Sequence, residues 1–82
     1  MNMSVIQKAA TLAEAKQEFV YVTITHTTGS TSRSDGTMVV EGGGMITGTI
    51  GGGDVEAYAQ RQALALLATA ERGRRLRYVV QE

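Results

Sequence analysis

The sequence predicts a small α+β domain with the element order α-β-β-β-α-β and a mixed or antiparallel sheet. Two segments with the apolar spacing of amphipathic helices flank a central region that is rich in β-branched residues. Glycine clusters divide that central region into short runs. The 82 residues have the length of one domain and contain no internal repeat. We therefore expect a single domain over residues 1–82, with both helices mainly on one face of the sheet.

The N-terminal part of the chain is predicted to form a helix and then a strand. Ser4 and Gln7 have the spacing of a capping box, and apolar residues follow at helical spacing, which predicts a helix over residues 5–16. Residues 19–27 are almost all β-branched or aromatic and predict a strand. Because both faces of this strand carry apolar side chains, we expect it to be central in the sheet. His26, near its end, has either a structural role or a role in a site.

Residues 28–37 form a predicted loop that is rich in glycine and hydroxyl groups. The hydroxyls, the backbone amides near Gly29 and Gly36, and the Arg33 guanidinium are groups suited to holding phosphate or another oxyanion. A solvated connector is the alternative interpretation. The loop is therefore a candidate anion-binding segment.

A hairpin follows, with strands at residues 38–41 and 45–50 joined across the glycines at 42–44. Gly48 lies inside the second strand, where glycine weakens a strand unless a neighbour needs the space of its missing side chain. We therefore expect another backbone or a ligand to approach Gly48 closely.

The second helix is predicted to begin after three further glycines, with Asp54 as its cap and Glu56 in its first turn. Tyr58 and Leu64 lie off the apolar stripe and are expected to face a second layer or a partner subunit. A last short strand is predicted at residues 76–80. The predicted buried stripe of the helix consists of Val55, Ala59, Ala63, Leu66, Leu67 and Ala70.

The turn at Gly51, Gly52 and Gly53 is the second candidate ligand site. Glycines let the backbone adopt positive φ and approach a ligand, and the helix behind them presents unpaired N–H groups with partial positive charge. Turns of this kind between a strand and a helix are also common as purely structural elements. Both interpretations stay open from the pattern alone.

Composition excludes several classes of function. The chain has no cysteine, which excludes disulfides, thiolate metal sites and a cysteine nucleophile, and its single histidine excludes a multi-histidine metal site within one chain. A formal net charge of zero and 5% aromatic residues argue against a nucleic-acid binder. No apolar run has the length of a membrane span and no signal-peptide core is present, so we expect a cytoplasmic protein without a membrane partner. So small a domain gains core by oligomerising, and a homo-oligomer is expected.

Two motifs in order carry a family resemblance. Thr-Gly-Ser-Thr-Ser-Arg at residues 28–33 is followed by Gly36 and Met38, and Gly-Thr-Ile-Gly-Gly-Gly-Asp-Val-Glu occupies residues 48–56. Over residues 19–80 this order resembles the N-terminal domain of the xanthine dehydrogenase accessory family, XdhC and CoxI. The resemblance implies a factor that binds the molybdopterin or molybdenum cofactor as cargo, assists its sulfuration and delivers it to a molybdenum hydroxylase apo-enzyme.

The resemblance also implies the site residues. Arg33 and the hydroxyls are assigned to the cofactor's phosphate, and the amides of the three-glycine turn to phosphate or pterin. Glu56 is assigned to pterin N–H groups or to bracing the loop at residues 29–33, with bracing favoured because a carboxylate repels phosphate. The implied cofactor-binding residues are Gly29, Ser30, Thr31, Arg33, Gly51, Gly52, Gly53 and Glu56, with Gly36 at a further motif position.

The sequence departs from the family pattern at several positions. Ser32 and Asp35 replace prolines that are usual in the loop, and Asp54 adds a negative charge at the supposed anion site. The Rossmann-like C-terminal domain usual in the family does not lie within these 82 residues. We expect either a separate partner protein that carries that domain, an independent small paralogue with another role, or a fragment of a longer protein.

Two further hypotheses stay open beside the accessory factor, which is not expected to be an enzyme. In one, the glycine loops are structural, and a sheet edge or the face with Tyr58 and Leu64 mediates assembly. In the other, the chain is a small hydrolase or transferase. Its catalytic groups would then come from His26, Asp35, Asp54 and Glu56.

Overall fold

The computed structural model describes residues 3–25 and 36–69, together with Arg72, Gly73 and Leu76. Its elements are helix α1 (Met3–Glu14), strands β1 (Phe19–Thr23), β2 (Thr37–Glu41) and β3 (Ile46–Thr49), and helix α2 (Gly53–Leu67). The strands form an antiparallel sheet in the order β1-β2-β3. The predicted α+β class and the hairpin are confirmed. The strand predicted at residues 76–80 lies outside the described residues except for Leu76.

The pairing register shows which residues share a face of the sheet. On one face, Val20 pairs with Val40, which pairs with Ile46. On the other face, Tyr21 pairs with Val39, which pairs with Thr47. Within the described part of the chain, β2, and not the predicted β1, is the strand with a neighbour on each side. All three of its central residues, 38–40, are fully buried.

The two helices lie on opposite faces of the sheet, so the prediction that they share one face is wrong. Val5 and Leu12 of α1 pack with Val39, whereas Ala59 and Ala63 of α2 pack on the other face. Successive residues of a strand point to opposite faces, so the unbroken apolar run at residues 38–40 supplies both cores. Strand β1 also carries apolar residues on both faces, because it too contributes side chains to both cores. The α2 core consists of Met38, Val40, Ile50, Ala59 and Ala63, with Val20, Val22, Ile24, Ile46, Val55 and Leu64 packed against it.

Gly48 is the position at which α1 approaches the sheet. Its φ is +89°, and a Cβ there would lie 2.5 Å from Val5 Cγ2 and 2.6 Å from the carbonyl oxygen of Thr37. Val5 is fully buried. The expected close approach at Gly48 therefore comes from the helix side chain and from the neighbouring strand, and both leave no space for a side chain.

Helix α1 ends in a Schellman arrangement without glycine. Gln17 N–H donates to the carbonyl of Leu12 at 2.9 Å, and Lys16 N–H donates to that of Ala13 at 3.1 Å. Lys16 has φ +57°, the conformation that glycine usually supplies. The helix begins at Met3, so Ser4 lies inside its first turn. No helix in residues 3–25 or 36–69 has both the length and the apolar character needed to cross a membrane.

Candidate functional site

The turn between β3 and α2 contains three consecutive glycines in conformations that favour glycine. Gly51, Gly52 and Gly53 have φ values of +130°, +75° and +59°. A Cβ at Gly52 or Gly53 would meet no atom within 4 Å, so packing does not require glycine at either position. The backbone conformation does, because side chains with a Cβ rarely adopt it.

One carboxylate oxygen holds this turn. Glu56 Oε1 accepts hydrogen bonds from the N–H of Ile50 at 3.0 Å and from the N–H of Gly52 at 3.2 Å. It also accepts one from the hydroxyl of Thr49 at 2.5 Å. The Glu56 side chain reaches back from the first turn of α2 and is half-buried. Hydrogen bonds to an ionised acceptor are stronger than neutral ones, so Glu56 is the main brace of the turn.

Thr49 connects the carboxylate to the first glycine. Its Oγ1 donates to Glu56 and accepts the N–H of Gly51 at 3.0 Å. Three successive backbone amides therefore have acceptors within the chain. Those of Ile50 and Gly52 donate to Glu56, and that of Gly51 donates to Thr49. Thr49 lies in the second sequence motif but was not among the predicted site residues. The signal for it was a hydroxyl at the strand end, directly before the glycines and within reach of an acidic residue in the next helix.

The residue that caps α2 differs from the prediction. The N-cap is Gly52, which has no side-chain cap hydrogen bond, and the helix begins at Gly53. The prediction that Asp54 is the cap is therefore wrong, since it lies within the first turn and is exposed. Asp54 and Glu56 still place negative charge at the positive end of the helix dipole, which is favourable. Glu56 was predicted to brace the loop at residues 29–33. Within the described residues, it holds the backbone at residues 50–52.

The first motif is described only at its edges. Gly29, Ser30, Thr31 and Arg33 lie outside the described residues, as does His26, so their assignments stay predictions. At the near edge, the N–H of Ile24 donates to the carbonyl of Gly36 at 3.2 Å. The other site residues, 51–53 and 56, are brought together in the turn described above.

Gly36 connects the two motifs in space. It is buried, and a Cβ there would lie 2.6 Å from Ile50 Cα and 3.1 Å from the carbonyl oxygen of Thr49. The end of the first motif therefore packs directly against the strand end from which the three-glycine turn begins. Glycine at position 36 is explained by this close backbone approach.

The remaining predicted groups do not form a second site in the described part of the chain. Leu64, expected to face another layer or a partner, packs against the α2 core, and Tyr58 is half-buried. Among the described residues, no group of three or more histidine, cysteine, aspartate or glutamate side chains could hold a metal ion. Asp35, a candidate in the hydrolase hypothesis, lies outside the described residues.

Comparison with protein families matches most of the chain to a known family. Residues 12–79 match the model of the XdhC and CoxI family, a range that contains both glycine motifs and every described strand. The resemblance predicted from the motifs is thereby confirmed. Comparisons with curated proteins and with solved structures gave no match.

Proposed function

The chain belongs to the XdhC and CoxI family, and we propose that it is a non-enzymatic accessory factor that binds the molybdopterin cofactor for a molybdenum hydroxylase. Family membership suggests a role in the maturation of xanthine dehydrogenase or CO dehydrogenase. In the proposed role, the chain holds the cofactor or its molybdenum form as cargo, assists its sulfuration and passes it to the apo-enzyme. The observation that carries the proposal is the family match over both motifs.

The proposed site combines the two motifs. Arg33 presents a planar guanidinium, which suits bidentate contact with a phosphate, and Ser30 and Thr31 add hydroxyl donors. The packing of Gly36 against Ile50 supports a shared site, because it joins the end of the first motif to the start of the second. The second part of the site is the three-glycine turn with Glu56. The first part supplies affinity for the phosphate, and the second contacts the remainder of the cofactor.

The test is a titration of the purified chain with molybdopterin, followed by absorbance or calorimetry. We expect saturable binding that Arg33→Ala weakens at least about tenfold, since hydrogen bonds between charged groups contribute about 1.5–3 kcal/mol. Arg61→Ala is the matched control, because it removes an exposed arginine from α2 and should leave binding unchanged. Equal binding by wild type and Arg33→Ala would contradict the assignment of Arg33. No binding by a folded wild-type chain would contradict the cofactor role.

The proposed partners follow from the same role. They are a molybdenum hydroxylase apo-enzyme, a second copy of the chain, and a separate XdhC-like protein with a Rossmann domain. Transfer is tested by mixing the cofactor-loaded chain with purified apo-hydroxylase and measuring the activity gained. Activity that rises no faster than with free cofactor would contradict delivery by this chain.

The bracing of the glycine turn favours a second candidate function. Since three turn amides already have acceptors within the chain, the turn is also consistent with a purely structural element in a module for protein interaction or oligomerisation. The oligomeric state of the purified chain, measured by light scattering, distinguishes the two roles when it is combined with the cofactor titration. A stable oligomer without cofactor affinity supports the interaction module.

A further inference from the structure

We propose that Glu56 acts as an internal anion that excludes phosphate from the three-glycine turn. The turn has the backbone pattern of an anion site, with a glycine-rich loop leading into a helix N-terminus. In such sites the loop amides donate to oxygens of a bound anion. Here the oxygen that receives those hydrogen bonds belongs to the protein itself.

The hydrogen bonds identify which oxygen occupies that position. Glu56 Oε1 accepts from two backbone amides, Ile50 and Gly52, and from the Thr49 hydroxyl. The amide of Gly51, between them, donates to Thr49 Oγ1. A phosphate oxygen could reach these donors only if it displaced the carboxylate or the hydroxyl. The displaced carboxylate or hydroxyl would lose its donors and need new ones, which makes the exchange unfavourable.

The negative charge of Glu56 also opposes the binding of phosphate at the turn. A phosphate at the turn would lie close to the half-buried Glu56 carboxylate, whereas Asp54 is exposed and its charge is screened by solvent. Like charges a few ångströms apart in a partly buried site repel strongly, because the surrounding dielectric screens them less than bulk water does. Glu56, in the first turn of α2, also offsets the positive end of the helix dipole, which would otherwise attract an anion.

The inference makes Glu56 a residue that determines specificity. Phosphate of the ligand is directed away from the turn and toward other donors, and the turn is left to contact an uncharged part of the ligand. That the ligand is a molybdopterin rests on the proposed function. The exclusion of anions rests on the described hydrogen bonds and on the charge of Glu56, and it does not depend on whether the chain carries a cofactor.

The experiment is an NMR titration of the ¹⁵N-labelled full chain with inorganic phosphate at constant ionic strength. In wild type we expect no saturable shift of the Ile50, Gly51 and Gly52 amide signals. In Glu56→Ala the amides of Ile50 and Gly52 lose their acceptor, and we expect saturable shifts of their signals with affinity at least about tenfold above wild type. Asp54→Ala is the matched control. It removes a carboxylate from the same turn without removing the acceptor of the amides, and should behave as wild type.

Each outcome decides the question. Saturable phosphate shifts of these three amides in wild type would overturn the proposal, as would a folded Glu56→Ala that shows none. An equal gain in Asp54→Ala would show that net charge, and not occupancy of the amides, controls the turn, and would also overturn it. Should Glu56→Ala fail to fold, Glu56→Ser serves in its place. Its side chain is too short to occupy the position of Glu56 Oε1, so the same saturable gain is expected, and its absence would overturn the proposal.

Failure of the proposed function gives a different result. If the chain binds no molybdopterin but Glu56→Ala gains phosphate binding at the turn, the accessory role is wrong and the exclusion stands. If wild type binds molybdopterin and also binds phosphate at the three turn amides, the accessory role stands and the exclusion is wrong.

Discussion

The hairpin turn at glycines 42–44 and the turn at glycines 51–53 have the same three-residue sequence but are held by different groups. The hairpin is closed by the backbone, with Gly44 N–H donating to Glu41 at 2.8 Å and Glu41 N–H donating to Met45 at 2.9 Å. The second turn is held by the side chains of Glu56 and Thr49. A run of three glycines therefore does not specify one kind of turn, and the residues around it decide the geometry.

The two turns also differ in how many glycines they require. In the hairpin only Gly44 has positive φ, +96°, as expected for a three-residue hairpin loop in which a β-turn is followed by one such residue. Gly42 and Gly43 are exposed and have open space around the Cβ position. In the second turn all three glycines have positive φ. The hairpin thus has two replaceable glycines, whereas the second turn has none.

Removal of the brace is the largest expected effect. Glu56→Ala deletes the acceptor of two backbone amides and one hydroxyl, so we expect the free energy of unfolding to fall by about 2–3 kcal/mol. Urea denaturation followed by circular dichroism measures this change. Asp54→Ala, which removes an exposed carboxylate from the same helical turn, should change stability by no more than about 0.5 kcal/mol. Equal losses in both variants would mean that the helix dipole, and not the brace, is responsible.

Replacement of one glycine in each turn tests how many glycines are required. Gly52 has φ +75° and ψ −171°, a region that is almost restricted to glycine, so Gly52→Ala should cost about 1–3 kcal/mol. Gly43→Ala should change stability by about 0.5 kcal/mol or less, because its φ is not positive and its Cβ meets nothing within 4 Å. The same urea experiment compares them. A loss at position 43 as large as that at position 52 would remove the distinction between the turns.

The sequence was sufficient for the features that depend on local pattern. Alternating and helical apolar spacing predicted both helices, the three described strands and the hairpin, and the two motifs predicted the family. The close approach at Gly48 was expected because glycine is unfavourable within a strand. These features depend on interactions between residues that are close together in the sequence, so the sequence pattern predicts them.

Features that depend on packing between distant segments could not be predicted in the same way. An amphipathic helix shows that it has a buried stripe but not which face of a sheet receives it, so the placement of α1 and α2 on opposite faces was missed. The partner of Gly48 was missed for the same reason, since Val5 belongs to another element. At the glycine turn, Asp54 satisfied the sequence rule for a cap, but the half-buried Glu56 reaches the amides and Asp54 does not.

The smallest expected effect concerns Gln60, a side chain of α2 that contacts the hairpin. Gln60 Nε2 donates to the carbonyl of Gly44 at 2.6 Å, a neutral hydrogen bond to a turn that the backbone already closes. Gln60→Ala should therefore cost only about 0.5–1.5 kcal/mol, less than the loss in Glu56→Ala. Arg61→Ala, an exposed change at the next position of the helix, is the control and should be close to neutral. If Gln60→Ala were as damaging as Glu56→Ala, the hairpin would depend on its side-chain contact as much as the second turn does. The order of the two losses therefore measures how far each turn is fixed by its own backbone and how far by the helix beside it.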